Sequence, residues 1–171
     1  MTPERAAYHR LMLLVGVREE YEQELDLALE TEDPLSPLLL DLAFCMSDLS
    51  QTVSFLYNYT LDYSVDEQQV YDMIMAELRR QYVRGQMNAG EVCEILSKIQ
   101  RICDFGEPWI DLYTYLYEYE LLDEGIISQE VFKTGFDSVF LHGERIDVWA
   151  LQKEYHKKKK KSLADFFRKR K

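Results

Sequence analysis

Apolar positions recur three and four residues apart along most of the chain, the period of amphipathic helices packed onto a core. The clearest run is Leu35, Leu39, Leu42, Met46, Leu49, Val53 and Leu56, in alternating steps of four and three. Such a 3.5-residue seam, held for about three heptads, predicts one long helix over about 37–59. Pro37 suits its first position, Ser36 its cap, and Leu35 can staple onto Leu40. A seam of this kind also serves between chains, so a homodimer through Leu35–Leu56 is its other possible use.

Start and stop signals divide the rest. Ser64 and Glu67 form a capping box ahead of a stripe of Val70, Ile74, Leu78 and Tyr82. Gly85 ends that helix, and Asn88 with Glu91 begins another, whose inner face is Val92, Leu96, Ile99 and Cys103. Gly106 and Pro108 lead into Trp109, Leu112, Tyr113, Leu116, Tyr117 and Leu121. The alternating tyrosines 113, 115, 117 and 119 also fit a strand, but Leu112 and Leu116 break the alternation and favour helix. Gly125 closes this helix, and Ser128 opens one containing Val131, Phe132, Phe136, Val139 and Phe140. The junctions 82–88 and 122–128 share one pattern: apolar, two others, Gly, one other, apolar, cap. This reads as common turn chemistry for antiparallel helix pairs. Near the N-terminus, Tyr8, Leu11, Val15, Tyr21, Leu25 and Leu29 mark one interrupted helix or two, with Gly16 as the weak point. The expected fold is all-α: about six to seven short amphipathic helices around the long one, followed by a basic C-terminal tail.

The 171 residues, 47% hydrophobic and 30% charged, suffice for a core without metals or disulfides. No apolar run approaches the ~20 residues of a membrane span. Leu11–Val15 is followed by Arg18, Glu19 and Glu20 rather than a cleavage site, so no signal peptide is expected. Three cysteines without CxxC spacing suit a reducing cytosol, hence a cytoplasmic location. Charge is divided unevenly: residues 157–171 hold nine Lys or Arg and one Asp, whereas residues 1–156 hold eleven basic and thirty acidic residues. The net values, +8 and −19, predict an acidic helical domain over 1–156 and a flexible basic tail over 157–171.

Catalytic motifs are missing. His9, His142 and His156 lie far apart, and the sequence has no HExxH, phosphate loop, GxGxxG or GxSxG, so no metal, cofactor or catalytic residue is assigned. Cys93 and Cys103 fall on an amphipathic face and read as small core residues. Tyr57, Tyr59, Tyr115 and Tyr119 fall off the expected inner faces and are candidate partner-binding residues, since aromatic anchors among carboxylates suit a basic protein. The expected function is a non-enzymatic interaction module of the immunity-protein or inhibitor type. An enzyme whose site assembles only in three dimensions is the alternative from another class.

In the tail, Leu163, Phe166 and Phe167 share one side of a helical turn between Lys157–Lys161 and Arg168–Lys171. Lys160–Phe167 resembles the sliding-clamp-interacting peptide of replication and repair proteins: Gln, two residues, an aliphatic residue, two residues, then two aromatics. Leu163, Phe166 and Phe167 take the aliphatic and aromatic positions, and Lys160 stands where the family has Gln. The resemblance implies that these three residues would fill a pocket on the clamp, making the chain an accessory of nucleic-acid processes. It covers eight residues and implies nothing about the body. The same basic and aromatic composition suits nonspecific nucleic-acid binding or an anionic membrane surface.

Overall fold

A computed structural model describes the backbone of residues 1–45, 48–102 and 112–168, and their side chains except those of 112–114 and 161–168. Among the described residues the regular structure is entirely helical. In chain order the helices are α1 (Pro3–Leu14), α2 (Glu19–Thr31), α3 (Pro37–Phe44), α4 (Leu49–Leu61), α5 (Glu67–Val83), α6 (Ala89–Ile102), α7 (Leu112–Asp123), α8 (Gln129–His142) and α9 (Val148–Arg168). The chain divides into two units, Met1–Arg80 with Ser97–Ile110, and Gln81–Leu96 with Asp111–Lys171.

The first unit packs Ala6 and Leu13 of α1, Tyr21 and Leu25 of α2, Leu39 and Leu42 of α3, and Leu56 of α4 into one apolar cluster. The expected long helix is two helices. Asp48 caps α4 by accepting a hydrogen bond from the Gln51 amide at 3.1 Å. The Cys45 carbonyl, freed at the end of α3, accepts from the Asp48 amide at 2.8 Å and from the Thr52 hydroxyl at 3.2 Å. These bonds satisfy backbone groups that a continuous helix would satisfy internally, so the break carries little penalty. Leu39, Leu42 and Leu56 are each 0% exposed and pack within this unit, so the heptad is shared between two helices. Met46 of the heptad lies outside the described residues.

Two expected caps are also corrected. Ser36 precedes α3 without a side-chain cap bond, and its amide donates instead to Glu32 at 3.0 Å. At α5 the capping oxygen belongs to Asp66, which accepts from the Gln69 amide at 3.2 Å, so the cap lies two residues after Ser64. Near Gly16 the question of one helix or two is decided by a turn: Gly16 donates to the Leu13 carbonyl and Val17 to that of Met12, which separates α1 from α2.

The second unit is built on α6 through Leu96, α7, α8 and α9, with the last turn of α5. Its centre is aromatic: Phe136 lies 4.7 Å from Phe140 between ring centroids, and Tyr82 and Tyr115 meet both rings edge-on at 5.4–5.8 Å. The two repeated junctions adopt the same turn. Gly85 donates to the Tyr82 carbonyl at 3.0 Å and Gln86 to that of Gln81 at 2.9 Å; Gly125 donates to Leu122 and Ile126 to Leu121, both at 2.9 Å. Both glycines have φ of +70°, the left-handed residue that ends a helix and leaves its last carbonyls paired. Each turn delivers a cap as read from the sequence: Asn88 and Glu91 bond reciprocally at 2.7 and 3.1 Å, and Ser128 accepts from the Val131 amide at 3.3 Å. Gly106, Pro108 and Trp109 lie outside the described residues. Residues 157–168, expected as tail, continue the helix α9, whose 21 residues span about 30 Å.

Candidate functional site

Charge gathers most densely on α2, whose sequence contains six carboxylates and no Lys or Arg. Glu19, Glu22, Asp26 and Glu30, three or four residues apart, are all exposed, and Leu27 stands among them 59% exposed. The three Glu residues of the first turn also suit the positive end of the helix dipole, which is the structural reason for part of this charge.

The opposite side of α2 is tied to α1. Arg5 donates through Nη2 to Glu20 at 2.6 Å and through Nε to Glu24 at 2.7 Å, and the Tyr8 hydroxyl donates to the second oxygen of Glu20. Burial pushes the Glu20 carboxyl upward, but the Tyr8 and Arg5 hydrogen bonds outweigh it and hold the group below the usual carboxyl range. His9 is 1% exposed, with Nε2 at 2.7 Å from Glu24. Burial lowers its pKa despite the carboxylate beside it, so the imidazole is neutral at pH 7 and donates through Nε2. These groups join two helices. They leave no activated nucleophile.

The second unit holds a groove of about 820 Å³ between the α5–α6 turn and one face of α8. Met87, Phe132 and Leu141 give it apolar walls, and Tyr82, Lys133 and Asp137 supply its polar part. Lys133 Nζ donates to Asp137 at 2.6 Å and to the Tyr82 hydroxyl at 3.4 Å, while that hydroxyl donates to the other Asp137 oxygen. The charges neutralise one another, and nothing in the trio is poised as a base.

The four candidate tyrosines are divided between the two units. Tyr57 is 44% exposed, with the Arg10 guanidinium 4.6 Å above its ring. Tyr59 donates its hydroxyl to the Met1 carbonyl at 3.1 Å, so that part of it holds the N-terminus. Both belong to the first unit. In the second, Tyr119 donates to Glu94 at 3.3 Å across α7 and α6. Tyr115 is corrected from candidate contact to core: it is 7% exposed and wedged edge-on against Phe136 and Phe140. Its helical phase puts it inside, a fact hidden by the run of tyrosines around it. The side chains of Leu163, Phe166 and Phe167 lie outside the described residues. Lys157–Lys160 before them are exposed on the helical backbone of α9.

Sequence reasoning missed Glu118. This carboxyl is 7% exposed, and burial pushes its pKa up to about 7. Its signal was available: three residues after Tyr115 and three before Leu121, it shares their helical face. Cys93, placed in the core from the sequence, is 0% exposed, and its thiol is pushed up to about 12 by burial and by Glu118. Among the described residues no three His, Cys, Asp or Glu side chains gather as a metal site, and no helix is long and apolar enough to cross a membrane. No family model, curated protein or solved structure matches the chain.

Proposed function

We propose that the chain is a non-enzymatic interaction module whose acidic residues 1–156 engage a basic protein, in the manner of an immunity protein or inhibitor. The observation that carries this reading is the row of exposed carboxylates on α2, a helix that has no Lys or Arg beyond the Arg18 at its N-cap, within a body of net charge −19. Carboxylates in that density steer a basic partner and repel nucleic acid, and Leu27 and Tyr57 offer the apolar surface that steering alone does not supply. The test is capture from cell lysate by the full chain and by a variant carrying Glu19→Gln, Glu22→Gln, Asp26→Asn and Glu30→Gln. Strongly basic proteins should be retained by the parent at low salt, weakened by moderate salt and lost by the variant. Equal recovery by both chains, or recovery of acidic proteins only, would refute the reading.

A second reading rests on α9. Its helix runs through Arg168 with Lys157–Lys160 exposed, which suits an accessory role in which this end grips a polyanion or a clamp. Replacing Lys157–Lys161 by Gln separates the two readings, since it leaves the α2 face untouched.

A further inference from the structure

The packing of α7, α8 and α9 leaves the Glu118 side chain only 7% exposed, with no cation beside it among the described residues. Glu118 projects from the middle of α7, and among the described residues it has neither a hydrogen bond nor an ion pair. The place it occupies exists because α8 has no side chain there: a Cβ on Gly135 would stand 2.9 Å from Glu118 Oε2 and 2.9 Å from Val148 Cγ1 of α9. Gly135 is itself buried in mid-helix, where glycine is about 1 kcal/mol worse than alanine, so the close approach is its physical reason for being there.

The surroundings supply no counter-charge. From α6 the titratable group at the carboxyl is the Cys93 thiol, which also bonds the Tyr115 carbonyl at 3.8 Å. From α8 the contact is Gly135, while Lys133 and Asp137 are engaged with each other and with Tyr82. From α9 it is Val148; Asp147 beside it caps the Trp149 and Ala150 amides, and the Gln152 amide is taken by Ser128 and His156. A neutral carboxyl tolerates such a place far better than an ionised one, which must be hydrated or paired.

We propose that Glu118 is a proton-operated latch on the seam of α7, α8 and α9: the seam stays closed while the carboxyl keeps its proton, and loss of that proton to solvent draws the carboxylate outward and uncovers the Cys93 thiol. Burial and the missing partners set the direction. The Glu118 carboxyl has the ordinary value of 4.5 in the unfolded chain and is pushed up to about 7 in the closed seam, so stability is complete below the first value and lost as pH rises towards the second. Relative to a chain with a permanently neutral residue at this position, the folding constant should fall about tenfold per pH unit within that window.

The experiment uses the full chain and its Glu118→Gln variant between about pH 5 and pH 8, the interval that brackets a raised carboxyl. Urea midpoints are followed together with alkylation of Cys93, mapped by mass spectrometry of its peptide. Glu118 raises the buried Cys93 thiol, but alkylation takes place from the opened state, where the thiol is solvated in both chains, so the ratio of the two rates compares how often each chain opens. The ratio of parent to variant should rise several-fold across the interval, and the parent midpoint should fall relative to the variant's. Parallel pH profiles would overturn the proposal. If Glu118→Gln does not fold, a carbon-detected NMR titration of the parent's glutamate carboxyls decides: a group titrating near 7 that is lost on Cys93 alkylation supports the latch, and none above the ordinary range refutes it.

Discussion

Replacing Gly125 by Ala isolates the backbone contribution to this fold. Its φ is +70°, and no heavy atom would lie within 4 Å of an added Cβ, so the substitution changes backbone strain without a clash. Holding an L-residue in the left-handed region costs roughly 1–2 kcal/mol. Part of this is offset because alanine also restricts the unfolded chain, by about 0.4–1 kcal/mol. The net destabilisation is therefore about 1 kcal/mol. With a urea slope of roughly 1–3 kcal/mol per molar, the midpoint should fall by about 0.3–1 M. Gly85 has the same φ and the same empty surroundings, so Gly85→Ala should give the same shift within error. Asn at either site should cost less than Ala, because its side chain can bond its own backbone in this conformation. Circular dichroism at 222 nm under urea is the assay. An unchanged midpoint in both Ala variants, or a loss above about 3 kcal/mol in only one, would show that the shared turn is not what limits these junctions.

Leu42→Ala, at a position 0% exposed, should destabilise by about 2–5 kcal/mol, whereas Leu40→Ala, two residues away and 43% exposed, should stay within about 0.5 kcal/mol in the same titration. Glu20 has a carboxyl held below its usual range, so its contribution is present above the ordinary carboxyl value and lost as pH falls through the folded one; Glu20→Gln should flatten the acid limb of thermal midpoint against pH below about 4.5, while leaving the limb near neutrality, where Glu118 acts, as it is.

What the sequence determined by itself was local. The turns at Gly85 and Gly125, the Asn88–Glu91 capping box and the Ser128 cap each depend on about seven neighbouring residues or fewer, and these structures form as read. Apolar spacing likewise identified the buried stripes Val70–Ile74–Leu78 and Val92–Leu96–Ile99, because one helical face needs no tertiary information to be recognised. The break after Phe44 was legible too, in the capping pattern Asp48-x-x-Gln51, but an unbroken heptad hid it. A seven-residue step from Leu42 to Leu49 looks the same whether one helix continues or a second begins. Only tertiary structure decided which residues beside a stripe are enclosed. Tyr115 and Glu118 stand in a segment rich in tyrosine and carboxylate, whose composition masks the helical phase that sets them apart from exposed Tyr117. They are buried because α8 lays Phe136 and Phe140 against one and the bare backbone of Gly135 against the other. The distance between charges is likewise a tertiary quantity. The sequence counted the thirty carboxylates of residues 1–156, but packing determined that Glu20 meets Arg5 while Glu118 meets no cation among the described residues, and a charge's energy depends on partner and burial rather than on number.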